Sequence, residues 1–382
     1  MVRVWWKLSV LLVLGGVWPL VLRSEGLEAR VLVLANSRQP ESVELAHFYA
    51  KARSVPAANV ITLPLPGEES ITWRVFVDEV WQPLQDELIR RGWIEGTSSD
   101  LLDRFGRRRF VRASHRIAYL VTCRGVPLRI YPDPTLLPEK PERALRAEFN
   151  TNSAAVDSEL SLLAAGGYEP AGIQPNPLFG KEHPTAFDEE LVVKVSRLDG
   201  PSWASAHHLV TSALEGERAG LQGRYYVDVG GPQPEGDRWF RAVGAVWAGL
   251  GFDGDVDTTP ATFGDAARFD APVLYFGWYA ANVNGPFLRE GFTFPPGAIA
   301  LHLHSFSAVT LQSESTGWAG PFVARARRSV KTARSTRAPQ PLSAKVFDRA
   351  CAVAPNWRRV TLTSMRRAAS RMPPRDSSTT AT

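Results

Sequence analysis

Short apolar runs alternate with longer stretches of helical period along most of this chain, and that alternation predicts an α/β fold. Residues 30–36 (RVLVLAN) form an apolar run ending in a polar residue, the pattern of a buried strand. Ser42 is placed to cap a helix over 43–53, with Leu45, Ala46, Tyr49 and Ala52 on one face and Pro56 beyond its end. Residues 60–65 are a second strand. A helix is expected over 73–91, where Phe76, Val80, Leu84 and Leu88 recur four apart. Pro83 should kink or divide it, because proline lacks the N–H that the ladder needs, and Gly92 closes it. Residues 117–123 (IAYLVTC) read as a central strand, followed by a turn at Arg124-Gly125-Val126-Pro127 and an extended piece at 128–131.

The region 132–185 is rich in Pro, Gly and Glu, with one helical piece around 154–165, and reads as a long excursion. Strand patterns return at 191–197, 224–229, 272–278 and 298–305, with helical patterns at 203–217 and 237–250. Strands that alternate with helices imply a mostly parallel sheet covered on both faces. The chain therefore divides into an N-terminal half at 27–185 and a C-terminal half at 186–324. No internal repeat is visible in the sequence.

The two ends depart from this pattern. Arg3 and Lys7 precede an uncharged apolar run over 8–22, and Ser24 and Gly26 are small residues suited to a cut after Gly26. That is the layout of a secretory signal, and it predicts an exported protein of the periplasm or cell envelope. Any membrane contact would come through this segment retained as an anchor. Residues 325–382 have no sustained helix or strand period. They carry 14 Lys/Arg against 2 Asp/Glu, a surplus of twelve positive charges. The whole chain is at +5, so the preceding 324 residues stand at −7, and the basic balance gives no reason to expect nucleic acid as a partner. The aberrant tail is expected to be disordered or translated out of frame. A helix interrupted just after Gly317-Trp318 favours the frameshift. Cys123 and Cys351 are the two cysteines, and with Cys351 in this tail no structural disulfide is expected.

Several ordered pieces carry a family resemblance. They are Val31 to Asn36, Arg53-Ser54-Val55-Pro56 with Asn59, and Gly125-Val126-Pro127-Leu128. Next come Asn152-Ser153 with Asp157-Ser158-Glu159-Leu160, and Arg197-Leu198-Asp199-Gly200-Pro201. The last are Tyr275-Phe276-Gly277-Trp278-Tyr279, Pro296-Gly297-Ala298-Ile299-Ala300, His302-Leu303-His304-Ser305-Phe306-Ser307 and Gly317-Trp318. Over residues 29–324 the chain resembles a family of uncharacterised exported bacterial proteins found in genomes that carry exosortase. That membrane-embedded enzyme is proposed to sort exported proteins bearing a C-terminal Pro-Glu-Pro signal. Members of the family continue past Gly-Trp with a Gly-Ala-rich helix and a Glu-Pro-Tyr-like motif. Neither is present here, which again favours a frameshift. A looser similarity is to gingipain and caspase-like peptidases, where one strand ends in His-Gly and the next in the nucleophilic Cys. The equivalent ends here are Phe276-Gly277-Trp278 and His304-Ser305, so the Cys–His pair is missing.

The chemistry-bearing candidates cluster at strand ends. Ser305 and Ser307 lie where open α/β sheets place their sites, and a serine nucleophile needs a base within hydrogen-bond reach. The catalytic set expected from the sequence is Ser305, His304 and Asp157. Because strand residues alternate, His304 faces away from Ser305 unless the chain bends. No Gly-x-Ser-x-Gly elbow is present, and turn-capping is the plainer role for both serines. His302 and His304 share one face and are a possible metal pair with Asp157 and Glu159. With no His-Glu-x-x-His spacing, local hydrogen bonds are the favoured reading of both histidines. Cys123 beside Arg124 is a reactive thiolate if that charge lowers its pKa, and a buried core residue otherwise. Asn36, Arg53, Arg124, Asp199, Trp278 and Tyr279 are placed to line a binding cleft at the sheet's C-terminal edge. Loop bracing is the alternative for Arg53 and Asp199, and core packing for Trp278. Gly230-Gly231 lacks phosphate-loop spacing, and the sequence names no cofactor. The function expected is a hydrolase-like protein of an exosortase-associated surface system. The alternatives are a non-catalytic module binding exported proteins or surface glycans through Trp278 and Tyr279, and a metal-dependent hydrolase.

Overall fold

The computed structural model describes residues 26–137, 151–165, 167–172, 174–278 and 280–326. The expected export signal up to residue 25, the tail from 327 and Tyr279 lie outside the described residues. Thirteen strands in chain order are β1 (Val31–Asn36), β2 (Val60–Leu63), β3 (Ser70–Ile71), β4 (Ile94–Leu102), β5 (Arg108–His115), β6 (Tyr119–Cys123), β7 (Arg129–Ile130), β8 (Ala154–Ala155), β9 (Lys194–Leu198), β10 (Arg224–Asp228), β11 (Gly254–Asp257), β12 (Pro272–Gly277) and β13 (Ile299–His302). The α-helices are α1 (Pro40–Ala52), α2 (Trp73–Val75), α3 (Gln82–Arg90), α4 (Val156–Leu160), α5 (Ala186–Glu190), α6 (Trp203–Ala219), α7 (Pro234–Gly249) and α8 (Ala319–Arg325). No helix among the described residues is long and apolar enough to cross a membrane.

The fold is α/β, built on two four-stranded, wholly parallel sheets flanked by helices. The first has the order β2-β1-β6-β9 and the second β11-β10-β12-β13. Counted within each sheet, both orders are 2-1-3-4, a topological repetition that the sequence does not display. Pleating explains how one apolar run serves two layers. Val31, Val33 and Ala35 of β1 pack with α1 and α6, while Leu32 and Leu34 pack with Trp73, Phe76 and Leu84 on the other side. In the second sheet Tyr225 and Val227 face α7, whereas Tyr226 and Tyr275 join an aromatic layer with Phe287, Trp318 and Phe322. Each such ring taken fully from water contributes about 1.5–3 kcal/mol.

Pro83 divides its helix as expected, and the chain keeps its direction by widening. A six-residue π segment (Phe76–Trp81) joins α2 to α3, and the Gln82 N–H bonds back to Val77. A two-stranded antiparallel hairpin of β4 and β5 was not anticipated from the sequence. Its strands are short of apolar alternation because β4 is exposed from Glu95 onward. Other boundaries also moved: α1 begins at Pro40, so Ser42 lies inside the helix, where its hydroxyl accepts the Asn36 N–H instead of capping. The helix expected over 154–165 is the short α4, the strand expected from 191 begins at Lys194, and the strand expected to reach 305 stops at His302. β9 and α6, although they follow residue 186, complete the first sheet and its helical layer. The loop after β13 is tied to Glu69, whose carboxylate accepts the Thr310 hydroxyl at 2.7 Å and the Leu311 N–H at 2.8 Å.

Candidate functional site

In open parallel sheets a crevice forms outside the C-terminal strand ends, where neighbouring connections leave in opposite directions. The 2-1-3-4 order creates that point twice, between β1 and β6 and between β10 and β12.

The first crevice is filled by the protein itself. Asn36, fully buried at the end of β1, donates to the carbonyls of Pro66 and Gly125 and accepts from the Arg38 and Leu65 N–H groups. Arg197 uses its whole guanidinium: two bonds to Asp157 at 2.7 and 2.8 Å, one to Asp199, and one each to the carbonyls of Val126 and Pro127. Arg124 donates to the Gly200 and Pro201 carbonyls, and Asp199 accepts the Gly200 N–H. Arg53 sits at the end of α1 and pairs with Glu217 of α6 at 2.6 Å, which ties two helices together. Asn36, Arg53, Arg124 and Asp199 therefore brace loops and helices, and the cleft expected from them is occupied by their own bonds.

The second crevice is different. Asp228 and Asp257 are register partners, and so are Gly277 and His302. Continuing the Val227–Phe276 pairing by one residue brings Gly277 beside Asp228. One row across the C-terminal edge thus reads Asp257, Asp228, Gly277, His302, all on the face of the aromatic layer. A Cβ on Gly277 would stand 2.1 Å from the Tyr275 hydroxyl and 2.9 Å from Asp228 Cβ. The missing side chain lets the Tyr275 hydroxyl occupy the space over Gly277, beside Asp228. Asp228 and Tyr275 are fully buried. Asp228 Oδ2 accepts the Phe263 N–H at 3.3 Å, but Asp228 Oδ1, the Tyr275 hydroxyl and His302 Nε2 have no protein partner among the described residues. Burial, with smaller contributions from Asp257 and Asp237 against the Phe263 bond, pushes Asp228 up to about 8. Burial, then Asp228, raises Tyr275 well above the usual phenol range. Burial, then His304, lowers His302 to about 3, so its ring is neutral.

The serine that reaches this row is Ser307. Because β13 ends at His302, the two-residue alternation stops there, and a turn over 305–308 swings the chain back. Ser307 Oγ lies 2.8 Å from His302 Nδ1, in a bond whose donor depends on the histidine tautomer. Ser307 is held by its own carbonyl, which accepts the N–H groups of Trp318 and Ala319 at the head of α8. Trp318 in turn stacks on His302 at 3.7 Å between ring centroids, with planes 8° apart. The expected Ser305–His304–Asp157 set is not assembled. Ser305 is exposed on the turn, His304 accepts the Phe306 N–H, and Asp157 is committed to Arg197 beside the first sheet.

The metal set fails for a related reason. Asp157 is paired with Arg197, and Glu159 accepts the Tyr168 hydroxyl in a buried contact. Among the described residues no three His, Cys, Asp or Glu side chains are grouped as ligands. Trp278 is buried rather than displayed. It lies where side chains on Gly231 and Gly236 would stand and donates to Asp237 at 2.9 Å. That same carboxylate accepts the N–H groups of Gly230 and Gly231, which closes the backbone concavity there. Burial drives the Cys123 thiol up to about 12, against the reactive thiolate. A cavity of 660 Å³ lies beside the hairpin, lined by Trp81, Gln85, Arg107, Arg108, Arg112 and Leu191, and includes no residue of either strand-end row. Asp228 lies inside the run 224–229 in the sequence, so nothing there marks it as a strand end, although β10 stops at it. Comparison with family models, with curated proteins and with solved structures returns no match.

Proposed function

We propose that this chain is an exported hydrolase of an exosortase-associated surface system, acting through Ser307 and His302 in place of a Cys–His pair. The observation that carries the reading is the 2.8 Å contact between Ser307 Oγ and His302 Nδ1 at the C-terminal edge of a parallel sheet. A neutral imidazole at hydrogen-bond distance is the group that takes the hydroxyl proton when serine attacks an ester or amide carbonyl. On the far edge of the imidazole from Ser307, the row places a carboxyl that stays protonated near neutral pH and a buried tyrosine hydroxyl, which can position the ring but do not face the attacking oxygen. The surface-system context rests on the ordered resemblance over residues 29–324.

The test is labelling of the purified chain with a serine-directed fluorophosphonate, alongside a panel of ester and peptide substrates. Labelling should be lost in Ser307→Ala, fall at least tenfold in His302→Ala, and persist in Ser305→Ala. Undiminished labelling of Ser307→Ala would overturn the assignment.

A further inference from the structure

Three polar atoms that have no protein partner among the described residues, on one face of one sheet row, are a local condition that calls for an occupant. Each, left alone, costs about 1–3 kcal/mol. The row spans two sheet spacings, roughly 9–10 Å from Asp228 to His302, with the Tyr275 hydroxyl over Gly277 in the middle. On the imidazole, Nδ1 is engaged by Ser307 and the ring plane is fixed by the Trp318 stack. Nε2 therefore emerges on the other edge of the ring, and it is buried. Asp228 presents Oδ1 while Oδ2 is held by Phe263. Apolar aromatic groups, among them Phe287, Phe322 and Trp318, close the surroundings. A water needs two to four polar partners in such a place, and this row offers three.

We propose that Asp228, Tyr275 and His302 enclose one bound water, which accepts a hydrogen bond from His302 Nε2–H and so leaves Nδ1 free to accept the Ser307 hydroxyl proton. Asp228 and Tyr275 are then positioning residues. They hold the water, the water selects the tautomer, and the tautomer decides whether the Ser307 contact runs in the direction a base requires. The kinetic consequence rests on the Ser307–His302 reading above. The water and the tautomer do not.

The experiment uses the full chain labelled with ¹⁵N-histidine, and two-bond nitrogen–proton spectra that report which ring nitrogen carries the proton. Wild-type His302 should be the Nε2–H form. Tyr275→Phe, which removes only the hydroxyl oxygen, should raise the Nδ1–H fraction at least threefold. It should also slow fluorophosphonate labelling of Ser307 about tenfold. A wild-type ring protonated on Nδ1, or a tautomer ratio unchanged in Tyr275→Phe, would overturn the proposal. If Tyr275→Phe does not fold, wild type alone decides: a cross-relaxation peak between His302 Hε2 and a retained water supports it, and no such peak refutes it. A shifted tautomer with no Ser307 labelling in any form would retire the hydrolase reading and keep this one. Labelling with an unshifted tautomer would do the reverse.

Discussion

Replacing Asp228 with Asn isolates the cost of burying a titratable group. In the folded protein the carboxyl is pushed to about 8, against 3.8 for the free side chain. Below about pH 4 both states are protonated, and burial carries no charge penalty. Between about 4 and 8 the unfolded chain has lost the proton while the folded one keeps it, so stability falls as pH rises. Each pH unit in that window is about 1.4 kcal/mol, and the full interval is on the order of 5 kcal/mol. This is an upper bound, because water drawn in on ionisation relieves part of it. Asn keeps the size of the side chain and an oxygen for the Phe263 N–H, but cannot ionise. Urea unfolding of wild type and Asp228→Asn from pH 4 to pH 9 reads the difference directly. The variant should match wild type within about 1 kcal/mol at pH 4 and exceed it by about 3–5 kcal/mol at pH 8. Parallel stability curves for the two proteins would refute the claim that Asp228 is buried and uncharged.

His302 is held neutral down to about 3, so its ring resonances should not move between pH 5 and pH 7, below the ionisation of Asp228. A titration near 6.5 would place it in solvent. Cys123, driven up to about 12, should resist iodoacetamide in the native protein and react once urea unfolds it. Modification at the same rate before and after unfolding would contradict its burial. Arg197→Met strands the carboxylates of Asp157 and Asp199 that it now binds and should cost about 3–5 kcal/mol in denaturant unfolding. A loss under 1 kcal/mol would mean the network is dispensable. Gly277→Ala puts a methyl group against the Tyr275 hydroxyl and should cost about 1–3 kcal/mol, with near-ultraviolet circular dichroism reporting the displaced ring.

The central strands β1, β6, β10 and β12 and the long helices were legible because each carries a period, whereas the short β3, β8 and β11 were not expected. Residues 31–36 alternate between two packed layers and are apolar on both, while α6 and α7 carry apolar faces at helical spacing. The hairpin was not legible, since β4 has little apolar face to announce it. The candidate site was legible only in position. Strand-end logic led to residues 302–307, but it chose Ser305 and His304 by extending the strand rule through a segment where the strand has already ended. Ser307 pairs with His302 because of a turn, and a turn of Ser, Phe and Ser residues leaves no period to read. Asp157 and Asp199 looked available for the same reason. Nothing local announces that Arg197 of β9 will bind Asp157 of α4, 40 residues earlier, as well as Asp199 two residues on.

Two crevices of one topology differ in what closes them, and the difference falls on a few residues. At the first, Asn36 carries a side chain whose donors and acceptors match the passing loops, and Arg197 supplies the remaining bonds. Its polar groups are met, so nothing there selects a ligand. At the second, the residue closing β10 is Asp228, whose burial holds it as an acid, and the neighbouring strand ends in Gly277, which admits the Tyr275 hydroxyl but contributes no side chain. An arginine in that row would satisfy the carboxylate, as Arg197 does for Asp157, and remove the demand for any further partner. Arg224, beside the Tyr226 ring of that layer, is taken by Asp253 and Asp255, so among the described residues the polar atoms of this row are left for another partner. That asymmetry is why the second crevice, rather than the first, is the place to look for chemistry.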